Sequence, residues 1–167
     1  TQKSKKIRSN SGIIVDGEYG CEVKFAKCCN PLPGDEIIGF ITKGYGISIH
    51  KCDCPNAVSG LNNPESSERW IHAEWDTETI LAVDRSTTLS EGMLQIYAEN
   101  EIMLFANITS VLADMKVLLL SINTQKRTNR DILINLTVGC KDIDHFNSII
   151  SRLKAVNHVN SIQRGFS

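Results

Sequence analysis

The chain has 167 residues, 41% of them hydrophobic, and a formal net charge of −1, which allows one domain or two small ones. No apolar run approaches the roughly 20 residues that a membrane helix needs, which excludes a helical membrane protein. The opening TQKSKKIRSNSG is basic and polar and lacks the apolar core of a secretory signal, so the expected location is the cytoplasm, with reduced thiols.

Basic residues prevail up to about Asn56, acidic ones from there to Glu91, and basic ones slightly thereafter. A weakly basic face of this kind is either solvated or touches RNA. The first twelve residues read as a basic flexible arm. Beyond them, GIIVDG, CEVKFAK, EIIGFIT and GISIH are short, rich in Ile and Val, and separated by Gly or Pro, as expected of small strands joined by tight turns. No helical period is visible in this part. Residues 59–69, SGLNNPESSER, have the composition of a loop. RWIHAEW then sets Trp70, His72 and Glu74 against Ile71, Ala73 and Trp75, a strand period that continues the same sheet.

The expected boundaries are a cysteine-rich, β-dominated domain over 13–78, a linker over 79–91 and a second domain over 92–167. In the second, MLQIYAE reads as a strand, and Leu104, Ile108, Val111, Leu112 and Met115 share one helical face. VLLLSIN is apolar enough for a buried strand. The turn KRTNRD leads as a hairpin into DILINLTV, which alternates with period two. Asp142 is a good N-cap for a helix whose face carries Ile143, Phe146, Ile149, Ile150 and Leu153, and HVNSIQR closes as a strand. The order is βαββαβ, a ferredoxin-like unit with two helices on one face of a four-stranded antiparallel sheet, and the fold class is α+β.

Four of the six cysteines fall within residues 27–54. They form two knots, Cys28-Cys29 and His50-Lys51-Cys52-Asp53-Cys54. A disulfide needs a specific Cβ geometry that adjacent cysteines rarely meet, and a reducing compartment disfavours it. Zinc takes four N or S ligands in a tetrahedron and stabilises small loop-rich domains. Cys28, Cys29, His50 and Cys54 are the expected structural zinc ligands. Asp53 is an alternative oxygen ligand or a group that orients His50, and Cys52 is a spare thiol. Two other readings stand beside the clamp: small buried thiols, and a Cys-His nucleophile pair. The second lacks a recognisable oxyanion loop and orienting acid.

VKFAKCCNPLPGDEIIGFITKGYGISIHKCDCPN resembles the zinc-finger, or ribosome-intersubunit, region of long RelA/SpoT homologues, and RWIHAEW with the βαββαβ unit resembles the rest of that family's carboxy-terminal half, which ends in an ACT domain. The resemblance implies a metal motif on Cys28, Cys29, His50, Asp53 and Cys54, with turns shaped by Pro31, Pro33, Gly34 and Gly39. It also implies a regulatory fragment of a (p)ppGpp synthetase/hydrolase rather than an enzyme, since no histidine-aspartate hydrolase motif and no pyrophosphokinase segment occurs here. Partners implied are ribosomal RNA, transfer RNA, the catalytic half of the same protein and a second copy. Where the family commonly carries arginines, this chain has Lys43, Tyr45 and Lys51, the expected RNA contacts by charge or stacking. In the ACT part, NEIMLF stands where relatives tend to have Asp-Arg-x-Gly-Leu-Leu, with Met103 at the glycine. A branched-chain amino acid, if bound, would meet Asn100 and, from a second copy, residues around Asn123. The alternative function is therefore an amino-acid-binding ACT sensor with the cysteine-rich domain as support.

Overall fold

Ile and Val at alternate positions give the first part of the chain a series of short strands, each burying one side. β1 (Lys6–Arg8), β2 (Ile13–Asp16), β3 (Val23–Phe25), β4 (Ile37–Ile41), β5 (Ile47–Lys51) and β6 (Trp70–Trp75) form a sheet in the order β1-β2-β6-β4-β5-β3. One face carries the apolar core: Ile13, Val15, Ile37, Ile47, Ile49 and Ala73 are buried there, with Val23, Ile71 and Trp75 packed against them. Gly39, opposite Ile49 in the register, keeps this layer thin, because a Cβ there would lie 3.1 Å from both Ile47 and Ile71.

This computed structural model describes residues 6–9, 11–16, 22–44, 46–78, 81 and 89–166. It divides into two units, Thr1–Thr88 and Leu89–Ser167. Much of the expected linker over 79–91 and part of the arm over 1–12 lie outside the described residues. Where those segments are described, they contribute β1 and the first residues of the second unit's leading strand.

Within the first unit, helical structure departs from the sequence expectation. An α-helix, α1 (Pro55–Asn62), follows β5, and residues Ser67–Arg69 make a turn of 3-10 helix before β6. The helical pattern is faint because only Ala57 is buried and Ser59 and Gly60 are weak helix formers. Two local features start it: Pro55 sits in the first turn, where its missing N–H is harmless, and the Cys54 carbonyl accepts from the Val58 amide at 2.9 Å.

The second unit is a βαββαβ fold: β7 (Ser90–Glu99), α2 (Leu104–Asp114), β8 (Leu118–Lys126), β9 (Asp131–Cys140), α3 (Ile143–Lys154) and β10 (Val159–Arg164). Its strands pair antiparallel in the order β10-β7-β9-β8. Leu94, Ile96 and Ala98 of β7 lie opposite Leu136, Ile134 and Ile132 of β9, and all six are buried. The helices bury the periodic residues: Leu104, Ile108 and Leu112 from α2, and Phe146, Ile149 and Leu153 from α3. Asp142 caps α3 as its sequence position suggests, its Oδ1 accepting from the His145 amide at 2.8 Å.

The run 117–123 corrects the sequence reading. β8 is an edge strand rather than a buried one, and Leu118, Leu120 and Ile122 are 57%, 46% and 40% exposed. Composition alone does not distinguish a strand covered by its own chain from one left open at a sheet edge.

Candidate metal centre

The two thiol knots lie far apart in sequence and meet because of one strand pairing. β3 runs parallel to β5, with Phe25 opposite Ile49, so the chain leaves both strands at the same end of the sheet. Three residues past Phe25 come Cys28 and Cys29. Past Ile49 come His50, still in β5, and then Cys54 at the start of α1. The Ala26 amide donates to the Ile49 carbonyl at 2.9 Å and the Asn30 amide to the Ala26 carbonyl at 2.9 Å, which turns the first knot towards β5. Asn30 takes the left-handed conformation at φ 48°, one that asparagine tolerates better than most residues.

The potential ligand atoms of Cys28, Cys29, His50 and Cys54 all lie within 4.8 Å of one another. Cys28 Sγ is 3.7 Å from Cys54 Sγ and 3.5 Å from His50 Nδ1, and Cys29 Sγ is 3.8 Å from the same nitrogen. Bonds of about 2.3 Å to sulfur and about 2.0–2.1 Å to nitrogen give a tetrahedron with S–S edges of about 3.8 Å and S–N edges of about 3.6 Å. The chain thus holds three sulfurs and one nitrogen at the spacing of a single four-coordinate ion.

The surroundings treat the four groups differently. Burial pushes the Cys29 thiol up to about 12, against the opposing effect of the Lys51 amide, which donates to its Sγ at 3.3 Å. At Cys54 burial also acts upward, but the amides of Ala57 and Asn56 at the start of α1, together with the Cys28 and Cys29 side chains, bring it below the ordinary thiol value. Burial lowers the His50 imidazole, which favours its neutral, metal-binding form. A small core of Cys29, Cys54 and Ala57 surrounds the site, with Ala26, Cys28, Ile38 and Trp70 packed on it. The donor set and the spacing, with Cys29 and Cys54 buried and Cys28 and His50 half-buried, fit a soft divalent cation.

The other expected site residues lie elsewhere. Asp53 is 78% exposed at its side chain and pairs with Lys51 Nζ at 3.3 Å, outside the converging set. Cys52 is exposed. Lys51 ends β5 beside the cluster, whereas Lys43 is exposed in the β4–β5 turn at the strand's other end. Tyr45 lies outside the described residues. In the second unit, Asn100 follows β7 and its amide donates to the Arg130 carbonyl at 2.6 Å, while Asn123 is exposed on β8 opposite Asn135.

Sequence reasoning overlooks several groups around the cluster. Ser48 Oγ lies 3.4 Å from His50 Nε2, and the Trp70 ring meets the imidazole edge-on at 5.4 Å. The period-two spacing of Ser48 and His50 is the available signal for the first. Pro55 directly after a cysteine is the signal for the helix amides at Cys54. Glu99, Glu101 and His158 also converge, fully at the surface, with His158 Nδ1 3.1 Å from Glu99.

Residues 13–76 match the RelA/SpoT RIS domain family, and residues 91–164 match an ACT domain family. A GTP pyrophosphokinase of Streptomyces coelicolor is 32% identical over 164 residues, covering 97% of this chain and 18% of the relative. The bifunctional (p)ppGpp synthase/hydrolase RelA of Mycobacterium tuberculosis is 31% identical over 153 residues, covering 92% of this chain and 19% of the relative. The chain thus spans about a fifth of the length of these curated relatives, and it matches their carboxy-terminal part, which consists of regulatory domains. Among solved structures, the ACT domain of a GTP pyrophosphokinase of Chlorobium tepidum aligns with a TM-score of 0.40 at 19% identity, over 44% of this chain and 95% of that one.

Proposed function

Because the chain belongs to the RelA/SpoT family through its RIS and ACT domains, we propose that it is the regulatory, non-catalytic module of a stringent-response GTP pyrophosphokinase/(p)ppGpp hydrolase. In this reading the first unit is clamped by zinc and engages ribosomal and transfer RNA, and the second associates with another copy. The module also restrains the catalytic half of the same protein. The observation that carries the reading is the convergence of Cys28, Cys29, His50 and Cys54 inside the RIS-matching segment. Zinc would be held by these four residues as a structural ion. Its contribution is to fix the ends of β3 and β5 and so present the neighbouring basic side chains.

Ribosome binding tests this reading. The zinc-loaded chain is expected to bind ribosomes carrying uncharged transfer RNA, with affinity that falls steeply as salt rises. Changing Lys43, Tyr45 and Lys51 together to alanine should weaken binding and reduce the salt slope by about 1 for each phosphate that is no longer neutralised. Unchanged binding would reject these residues as the contact surface, and no binding by the zinc-loaded wild-type chain would reject the RNA reading.

Association has its own support. The β8 edge offers unpaired backbone groups and the exposed side chains of Leu118, Leu120 and Ile122, and an apolar edge of this kind is usually covered or paired. Two such edges side by side would make one continuous sheet. Sedimentation of the wild-type chain should show a dimer, and Leu120→Lys should shift it towards monomer with unchanged circular dichroism. A wild-type chain that stays monomeric at high concentration would end this part of the proposal. The amino-acid-sensor reading is the weaker one. At the loop where it needs polar contacts, Ile102 and Met103 are 95% and 60% exposed, and the Asn100 amide is already taken by Arg130.

A further inference from the structure

We infer that Ser48, together with the contact between Gly60 and Trp70, positions the metal-facing nitrogen of His50. The inference rests on the zinc reading above and concerns residues outside the four ligands. A neutral imidazole carries one proton, and only the other nitrogen can offer a lone pair to a metal. Here Nδ1 faces the sulfurs of Cys28 and Cys29, at 3.5 and 3.8 Å, and Nε2 faces Ser48 Oγ at 3.4 Å. Ser48 and His50 are two apart on β5 and therefore on one face of the sheet. A proton on Nε2, donated to the Ser48 hydroxyl oxygen, leaves Nδ1 free to bind. Without that acceptor, the proton is free to occupy Nδ1 and block the site.

The ring's orientation has a second support. Trp70 meets His50 at 63° with centroids 5.4 Å apart. Its indole lies directly over Gly60 of α1, where a Cβ would come within 2.6 Å of Cζ2 and 2.7 Å of Nε1. Glycine inside a helix is unfavourable by about 1 kcal/mol relative to alanine, and here it makes room for the indole. The Trp70 N–H is buried and has no hydrogen-bond partner among the described residues, so packing, not a hydrogen bond, seats the ring. Helix α1 therefore serves the site twice, with Cys54 at its start and the Gly60–Trp70 seat for the imidazole towards its other end.

The test is titration of the metal-free 167-residue chain with Zn2+ and with Co2+, whose visible spectrum reports tetrahedral sulfur-nitrogen ligation, alongside 15N NMR of the imidazole. The wild-type chain should bind both ions and show one tautomer, with the proton on Nε2. Ser48→Ala should bind about 10–100-fold more weakly and lose the single tautomer, and Ser48→Thr, which keeps the hydroxyl, should recover both. Gly60→Ala should also weaken binding and change Trp70 fluorescence in a Trp75→Phe background. Wild-type affinity and an unchanged tautomer in Ser48→Ala would overturn the inference while leaving the clamp intact. A wild-type chain that takes up neither ion would overturn the clamp, and the inference with it.

Discussion

Removal of the metal, by a strong chelator or by Cys54→Ser, is expected to lower the melting temperature of the first unit by more than about 15 °C and to leave that of the second unit in place. An ion that binds only the folded chain and is present at a thousand times its Kd contributes about 4 kcal/mol, and in a unit of this size each kcal/mol moves the melting point by about 4–8 °C. The sheet's apolar face has its own Ile and Val core, so it retains some order without metal. On the opposite face the apolar cluster packed at the site is small, with Cys29, Cys54 and Ala57 as its buried members among the described residues, and a cluster of this size contributes little stability by itself. Acid should act in the same direction. Burial lowers the His50 pKa, so the unfolded chain takes up that proton more readily than the folded one, and stability falls as pH drops through the ordinary imidazole range. Protons also compete with the ion for the thiolates.

Thiol alkylation followed by mass spectrometry gives an independent readout. Among the described cysteines, the exposed Cys52 should react first in the loaded chain, and Cys28 and Cys54 only after chelation. Cys140, buried in the second unit with its thiol pushed up by desolvation to about 11, should stay protected until that unit melts. Identical melting and labelling with and without chelator would remove the ion from the account of this fold.

The second large effect belongs to the ACT unit. Phe146 is fully buried, and Phe146→Ala should cost about 3–5 kcal/mol. Its ring lies on Gly92 of β7, where a Cβ would come within 2.5 Å of Cε2, 2.6 Å of Cδ2 and 3.0 Å of Cys140 Sγ. Gly92→Ala should therefore destabilise by about 1–3 kcal/mol through overpacking. The two changes should not add, because the cavity left by Phe146→Ala accepts most of the new methyl group, so Gly92→Ala should cost clearly less in that background, where the 3.0 Å approach to Cys140 Sγ remains. Urea unfolding of the four proteins measures the coupling. Equal costs of Gly92→Ala in both backgrounds would show that the phenyl ring is not what requires glycine at this position.

Parts of this architecture are legible from sequence because local chemistry determines them. α3 has a capping aspartate, an apolar face at helical spacing and basic residues in its last turn, and all three signals agree. The alternating strands of the first unit are equally plain. α1 is hard to see because its buried surface comes down to one alanine, and tertiary packing holds it in place. β8 reads as an interior strand because three consecutive leucines look alike whether the strand lies inside a sheet or at its edge. At the site, the residue types are readable, but the meeting of the two knots depends on β3 pairing parallel with β5, a long-range choice that spacing does not encode. The same holds for Asp53 and Cys54: adjacent in sequence, one points to solvent and the other opens a helix.

The parallel pairing of β3 with β5 also bears on the order of events in folding. Val23 must find Ile47 across the intervening β4 segment before His50 and Cys54 can approach Cys28 and Cys29, and contacts so distant along the chain form slowly. The complete tetrad thus arises only once β3 is seated on β5. An ion that joins after this pairing would do little to hasten folding. Its main effect would be to slow the escape of a finished domain, so a zinc-loaded chain is expected to persist through a low unfolding rate.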